Sequence, residues 1–239
     1  MGIAHDPRTN HLLAALPGPA WQRLLPQLEA VDLPLGRVLK EAGQAPGWVW
    51  FPTTAIVSLM YMLSDGDAVE VAMVGSEGMV GATLFMGSES TPSRAVVQCA
   101  GRVYRIGSRA IKDEFDRAGP VMHLMLRYAQ SLLTQMAQSA VCNRHHSLDQ
   151  KLCRWLLLCL DRLQGNELAM TQELIATMLG VRREGVTEAT LHLQAAGIIH
   201  HVRGHITVTD RLALERRACE CYAVVKKECD RLLPDLVAA

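Results

Sequence analysis

The sequence predicts an α+β fold in which a β-rich first half, one long helix and a small α/β unit follow in order. Three observations carry this. Turn residues punctuate short apolar runs as far as Ile106. Apolar residues switch to helical spacing at Pro120. Two short amphipathic helices and a strand pair then occupy the last third. The divisions fall at 1–118, 119–144 and 145–239.

In the first half, Gly36, Gly43, Pro46-Gly47, Pro52, Asp65-Gly66, Gly75, Gly78, Gly81, Gly87, Pro92 and Gly101 supply turn signals. A spacing of roughly 8–12 residues between such signals predicts a sandwich or barrel. A short helical opening, around Pro19 to Leu28, precedes it. Residues 55–63 and 68–74 read as a hairpin, because Asp65-Gly66 can adopt the positive φ that β-branched residues resist. Two further strands lie between Ser93 and Ile106, around Ala100-Gly101.

From Pro120 the spacing is helical. Met122, Leu126, Ala129, Leu133, Met136 and Ala140 are separated by 4, 3, 4, 3 and 4, a seam of three heptads. Pro120 suits a first turn, where its missing N–H costs nothing. Two readings stand: an amphipathic helix packed on its own chain, and a two-chain coiled coil making a homodimer. A second helix, Leu148 to Leu163, follows Ser147 as N-cap and ends at Gln164-Gly165-Asn166.

The segment from Gln172 to Leu191, QELIATMLGVRREGVTEATL, has helix-turn-helix spacing. Leu174, Ile175 and Met178 make an inner face, and Ala176 is small at the crossing. Gly180 stands where the turn needs positive φ. Val181 and Val186 pack the second helix back. Arg182, Arg183 and Glu184 open that helix, with Thr187 and Glu188 one turn on. Ile198 to Val202 and His205 to Thr209 then form a hairpin around Arg203-Gly204, which makes a wing. An ordinary helical hairpin has no such appendage. This arrangement presents helix N-terminal side chains to base edges in the major groove of double-stranded DNA. The candidate contacts are Thr171, Gln172, Arg182, Arg183, Glu184, Thr187, Glu188, Arg203 and His205.

Composition bounds the alternatives. The 239 residues are 49% hydrophobic and 20% charged, which excludes disorder and a disulfide mini-scaffold. No apolar run approaches the roughly 18 residues of a spanning helix, and Met1 to Asn10 has no signal-peptide core. A cytoplasmic location and no membrane partner are expected. Net charge is zero, and 19 of the 24 basic residues are Arg. That bias fits phosphate or guanine recognition and also fits genome composition. Between Arg144 and Arg217, ten basic residues face eight acidic ones, so non-specific DNA affinity should be modest. No catalytic triad, Walker loop, HExxH or Rossmann fingerprint is present, and Glu70 and Glu77 alone are weak signals, so no enzyme is expected.

A β-rich unit, a heptad helix and a winged helix in this order resemble the Crp/Fnr family of bacterial transcription regulators. The resemblance is most specific over Thr171-Gln172-Glu173-Leu-Ile-Ala and Leu179-Gly180-Val181-Arg182-Arg183-Glu184. It implies that Arg183 and Glu184 touch bases, with Glu188 at a position that is basic in the best-known members. It further implies a homodimer, an operator of two inverted half-sites and contact with RNA polymerase. The family's sensor is a cyclic-nucleotide-binding jelly roll with a phosphate cassette. Val80-Gly81-Ala82 and Ser93-Arg94-Ala95 match the cassette's two ends. The candidate ligand residues are Gly81, Ala82, Ser93, Arg94, Ala95 and Met136. Arg94 is the implied phosphate anchor. Ala82 replaces the glutamate that holds the ribose, a loss of about 1.5–3 kcal/mol. Apolar Met136 and Ala137 stand where adenine-contacting hydroxyls sit. The expectation is a degenerate sensor whose effector is unknown or absent. The alternative is a true cyclic-nucleotide-responsive regulator.

The seven cysteines, from Cys99 to Cys229, contain no CxxC pair. The family's N-terminal iron–sulfur cluster is not expected, since no cysteine precedes Cys99. Cys142-Asn-Arg-His145-His146 and Cys219-Glu-Cys221 each lack a second pair for tetrahedral zinc, so local packing is expected at both and no metal is assigned. The tail from Arg211 to Ala239 reads as one helix starting after Asp210.

Overall fold

The structure is a computed structural model that describes residues 6–87 and 90–233. The chain opens with helices α1 (His11–Ala14) and α2 (Gly18–Leu24). Asn10 is fully buried and tethers this opening. Its Oδ1 caps α1 by accepting from the Leu13 amide at 3.1 Å. Its Nδ2 donates to the Pro52 and Gly78 carbonyls, both at 2.8 Å.

Seven strands build the roll: β1 (Glu29–Leu33), β2 (Val38–Lys40), β3 (Trp48–Pro52), β4 (Ile56–Met62), β5 (Ala68–Val74), β6 (Ser93–Cys99) and β7 (Gly101–Gly107). They form two antiparallel sheets, ordered β1-β7-β3 and β2-β6-β4-β5. The β4–β5 hairpin turns at Gly66, φ 93°, as the sequence predicts. The two strands after Ser93 are present but do not pair with each other. β6 joins one sheet and β7 the other, and the chain crosses at Gly101. A Cβ there would lie 2.6 Å from the Thr54 and Ala55 backbones.

Helix α3 (Ser108–Asp116) follows the roll. Sequence reasoning left this segment unassigned, because Ile111 is its one fully buried apolar side chain. Its buried Glu114 accepts two hydrogen bonds from Arg23, at 2.6 and 2.9 Å. Helix α4 (Pro120–His145) starts on proline as expected. It carries two stripes. Leu124, Met125, Tyr128, Ala129 and Leu132 are buried against the chain itself, while Leu126, Leu133 and Val141 are exposed. The predicted seam is therefore split. Leu126, Leu133 and Ala140 face solvent, and Ala129 belongs to the inner stripe.

Ser147 and Gln150 form a reciprocal capping box that starts α5 (Leu148–Leu160). The helix ends before the expected Leu163 because Arg162 folds back. Its Nη1 donates to the Leu158 carbonyl and its Nε to Glu77 Oε1, both at 2.7 Å. Next come β8 (Glu167–Ala169), α6 (Gln172–Leu179), α7 (Arg183–Ala195), β9 (Ile199–Val202) and β10 (His205–Val208). The wing is three-stranded, β8-β10-β9, and the short β8 was not foreseen. The tail is two helices, α8 (Arg211–Arg217) and α9 (Cys221–Leu232), rather than one. Asp210 caps α8 as expected, through the Ala213 amide at 2.8 Å. Residues 234–239 of the expected helix lie outside the described residues. Among the described residues no helix is long and apolar enough to cross a membrane.

Two apolar cores result, and β4 contributes to both. Val57 and Leu59 enter the roll interior with the inner stripe of α4. Ile56 and Met60 join Leu152, Trp155 and Leu156 of α5 beneath the winged helix. This alternation is the period of two of a strand buried on both faces. A polar cluster lies between the domains. Glu70, 8% exposed, accepts from Trp155 Nε1 at 3.0 Å and contacts the Ser58 hydroxyl. That hydroxyl also reaches Gln98 Oε1 at 2.6 Å. A hydroxyl has one proton to give. A protonated Glu70 donating to Ser58 frees that proton for Gln98.

Burial pushes the Glu70 carboxyl up to about 7, against hydrogen bonds from Ser58 and Trp155. The folded value exceeds the unfolded one. The protonated form therefore stabilises the fold below the ordinary carboxylate range, and that contribution is lost as pH rises through about 7. Wild-type melting temperature should fall across this window. In Glu70→Gln that fall should disappear, as read by thermal denaturation followed at Trp155.

Candidate nucleic-acid interface

Helix α6 is started by Thr171, whose Oγ1 accepts from the Leu174 amide at 3.2 Å. It ends at Gly180, which adopts φ 63° and ψ 42°. Ile175, Ala176, Met178 and Leu179 face inward, as do Val186, Ala189 and Leu193 of α7. Arg182, Arg183, Glu184 and Glu188 are left exposed. Arg182 is the N-cap and Arg183 the first helical residue, one position earlier than the sequence reading placed it. No side chain caps α7. The amides of its first turn, with the positive end of the helix dipole, are available to a phosphate.

The two helices are also bonded on their outer side. Thr187 Oγ1 donates to Gln172 Oε1 at 2.8 Å, so these two candidate contacts fix each other's rotamers. Arg183 approaches Glu173 only at 3.9 Å, with side chains 64% and 72% exposed. Such a pair contributes under about 1 kcal/mol and leaves the guanidinium able to turn.

The wing turns over two residues of positive φ, Arg203 at 45° and Gly204 at 84°. The Gly204 carbonyl accepts from the Met170 amide at 2.6 Å. Gly204 therefore lies beside Thr171, and Arg203 joins the face that bears Thr171, Gln172 and α7. His205 leans back instead, its Nδ1 2.9 Å from Glu167 Oε1. Of the ten basic residues in this region, three serve the interior. Arg154 is buried on Ser139, Arg162 pairs with Glu77, and Arg211 pairs with Asp161 and Glu215. Arg182, Arg183 and Arg203 are exposed at the start of α7 and on the wing, and Arg144, Arg216 and Arg217 are exposed elsewhere on the unit.

The HTH turn is also a domain contact. A Cβ on Gly180 would lie 3.1 Å from Val69 Cγ2 of β5. Arg182, Arg183 and Glu184 border a groove whose opposite wall is Leu63, Asp67 and Val69 of the β4–β5 hairpin.

The sensor cassette is only partly brought together. Gly81, φ 119°, starts a 3-10 turn over Ala82–Met86, with Val49 3.2 Å from where a Cβ would be. Ala82 and Ala95 both enter the roll core. Ser93 is buried and bonds Thr91 Oγ1 at 2.8 Å. Arg94 takes the opposite face. Its register partner is Met60, of the outer core, whereas Ala95 pairs with Leu59, of the inner one. Its Nε lies 3.0 Å from Glu41, not beside Glu77, and Glu89 lies outside the described residues. Met136 packs half-buried against the roll. A cavity of about 420 Å³ lies elsewhere, bounded by Tyr128, Gln135, Arg162, Lys226 and Leu233, and no cassette residue lines it. Five separated segments make that cavity, so no local sequence signal marks it.

A β roll, a long helix and a winged helix that exposes a basic first turn define a class: a helix-turn-helix protein with an added β-roll domain. Residues 150–217 match the family described as the Crp-like helix-turn-helix domain. No curated protein matches the chain. Among solved structures, a Crp/Fnr-family transcriptional regulator from Eubacterium rectale aligns at 18% identity and TM-score 0.70. It covers 88% of this chain and 98% of its own. FixK2 from Bradyrhizobium japonicum aligns at 16% identity and TM-score 0.70, covering 80% and 98%. The c-di-GMP-responsive regulator CLP from Xanthomonas campestris aligns at 17% and 0.62, covering 80% and 99%. Residues 150–217 are thus a Crp-like helix-turn-helix domain, and the chain shares the fold of these regulators.

Gly180→Ala tests the turn. A non-glycine residue at φ 63° costs about 1–2 kcal/mol, and here the methyl also meets Val69. The unfolding midpoint should fall accordingly. Adding Val69→Ala should restore only the steric part, leaving the backbone cost.

Proposed function

We propose that the chain is a homodimeric, sequence-specific regulator that reads an inverted-repeat operator with α7. The observation that carries this is the exposed, uncapped first turn of α7, which holds Arg182, Arg183 and Glu184 outward while Val186, Ala189 and Leu193 anchor the helix from behind. Arg183 binds guanine O6 and N7 as a planar fork, and Glu184 accepts from a cytosine amino group. Arg182, at the N-cap, meets phosphate, as does Arg203 on the wing. Thr171, Gln172, Thr187 and Glu188 border the same surface, and His205 stands back from it against Glu167. Residues 145–239 form the DNA-reading unit, 119–144 the dimerisation helix and 1–118 the sensor. Such a regulator acts in the cytoplasm and works through RNA polymerase.

The unpartnered stripe of Leu126, Leu133 and Val141 supports dimerisation through α4, since a second copy of the same stripe would cover it. The sensor is degenerate. Ala82 offers no ribose acceptor, and Arg94 is held by Glu41 on the outer face of β6. Cyclic AMP should accordingly leave the melting temperature unchanged, where a ligand bound at 100 times its Kd would add about 2.7 kcal/mol.

Two measurements test the reading. Arg183→Ala should lose about 1–3 kcal/mol on the preferred operator and relax selectivity at one base pair. Arg182→Ala should weaken all sequences alike and lower the salt slope by about one. Titrations across single-base operator variants at two salt concentrations separate the two. Equal weakening of every variant by Arg183→Ala would make it a phosphate contact. Separately, Leu133→Glu should sediment as monomer, and a dimer that persists would place the interface elsewhere.

A further inference from the structure

The break between α8 and α9 has a chemical consequence. It brings Cys219 and Cys221 against the last turn of α4, where Cys142 and His146 stand one turn apart. The four potential ligand atoms all lie within 4.8 Å of one another. Cys142 Sγ and Cys219 Sγ are 3.6 Å apart, and Cys221 Sγ is 3.5 Å from His146 Nδ1. With Zn–S at about 2.3 Å and Zn–N at about 2.0–2.1 Å, a tetrahedron has S···S edges of about 3.8 Å and S···N edges of about 3.5 Å. The two separations, Cys142–Cys219 and Cys221–His146, are close to those edges.

The surroundings fit the same geometry. If Nδ1 of His146 is a ligand, its Nε2–H needs a partner, and Nε2 lies 3.2 Å from Glu220 Oε2. This is the carboxylate–histidine arrangement that orients a metal-bound imidazole. Gln138 Nε2 donates to Cys221 Sγ at 3.1 Å, as an outer partner of a thiolate would. Buried Arg154, fixed by Ser139 at 2.8 Å, acts electrostatically on Cys142 and offsets negative charge at the cluster. The three cysteines are at most 4% exposed. A closed set of four protein ligands is structural, with no open position for catalysis.

We propose that Cys142, His146, Cys219 and Cys221 form a Cys3His site for a thiophilic tetrahedral cation, of which Zn2+ is the fitting one. Hard cations such as Mg2+ and Ca2+ want oxygen ligands and are excluded by the donor set. Binding converts three thiols to thiolates and releases three protons to solvent, with no change of oxidation state. The site lies at the hinge. His146 is the C-cap of α4, and Ser147, the next residue, caps α5. A bound ion staples the tail to the joint between the long helix and the DNA-reading unit, and so holds α7 in one orientation.

The test uses the full-length chain purified under reducing conditions. One zinc per chain is expected by elemental analysis. Co2+ added to metal-free protein should give thiolate-to-cobalt charge transfer and the intense visible bands of a tetrahedral ion. The signal should saturate at one per chain and be displaced by Zn2+. Cys221→Ser and His146→Ala should weaken cobalt binding at least tenfold. Glu220→Gln should weaken it about 10–100-fold with the stoichiometry kept. Cys229→Ser, outside the cluster, should change nothing. A weak octahedral cobalt spectrum in the wild-type chain would overturn the proposal, whatever the variants do. So would a Cys142–Cys219 disulfide in air combined with no cobalt uptake by the reduced protein.

Discussion

The structure depends on a sheet that is apolar on both faces. In β4 the side chains alternate, with Val57 and Leu59 turned into the roll and Ile56 and Met60 turned under the winged helix. Each such burial contributes about 1.5–3 kcal/mol. The winged helix is thus not tethered loosely to the end of α4. It is docked on the outer face of the β2-β6-β4-β5 sheet through α5, with the Glu70–Trp155 hydrogen bond and the Arg162–Glu77 ion pair as polar pins. The direction in which α7 presents Arg183 follows from that docking.

Docking also explains how a chain of zero net charge can read DNA. Arg154, Arg162 and Arg211 hold the domain together from inside, so they add nothing to the outward field. Of the exposed cations between Arg144 and Arg217, three, Arg182, Arg183 and Arg203, lie at the start of α7 and the tip of the wing, while Arg144, Arg216 and Arg217 lie elsewhere. Counterion release from so few contacts is small. On the proposed reading, specificity then rests on base contacts by the Arg183-Glu184 pair. The same first turn borders the β4–β5 hairpin.

Features written in consecutive residues were legible in the sequence. Ser147 and Gln150 announce α5, Gly180 announces the turn, and Pro120 announces α4, because each acts within one helical turn of itself. The chain-order split into roll, long helix and winged helix was legible for the same reason. Long-range features were not. Helix α3 has one fully buried side chain and β8 has three residues, too little for a periodic pattern. The face of Arg94 depends on strand register. The β4–β6 ladder shifts by one residue between Ile56 and Val57, and a one-residue slip exchanges the two faces. The cysteine cluster joins two segments 77 residues apart, each with too few ligands to mean anything alone.

On the proposed reading, a symmetric pair of α7 helices reads the DNA. The most direct measurement is selection of bound duplexes from a random pool by the wild-type protein, followed by sequencing. One enriched motif is expected: an inverted repeat whose half-site centres lie about one helical turn, about 10–10.5 base pairs, or a multiple of it, apart. Enrichment of a lone half-site, of a direct repeat or of no motif at all would contradict it.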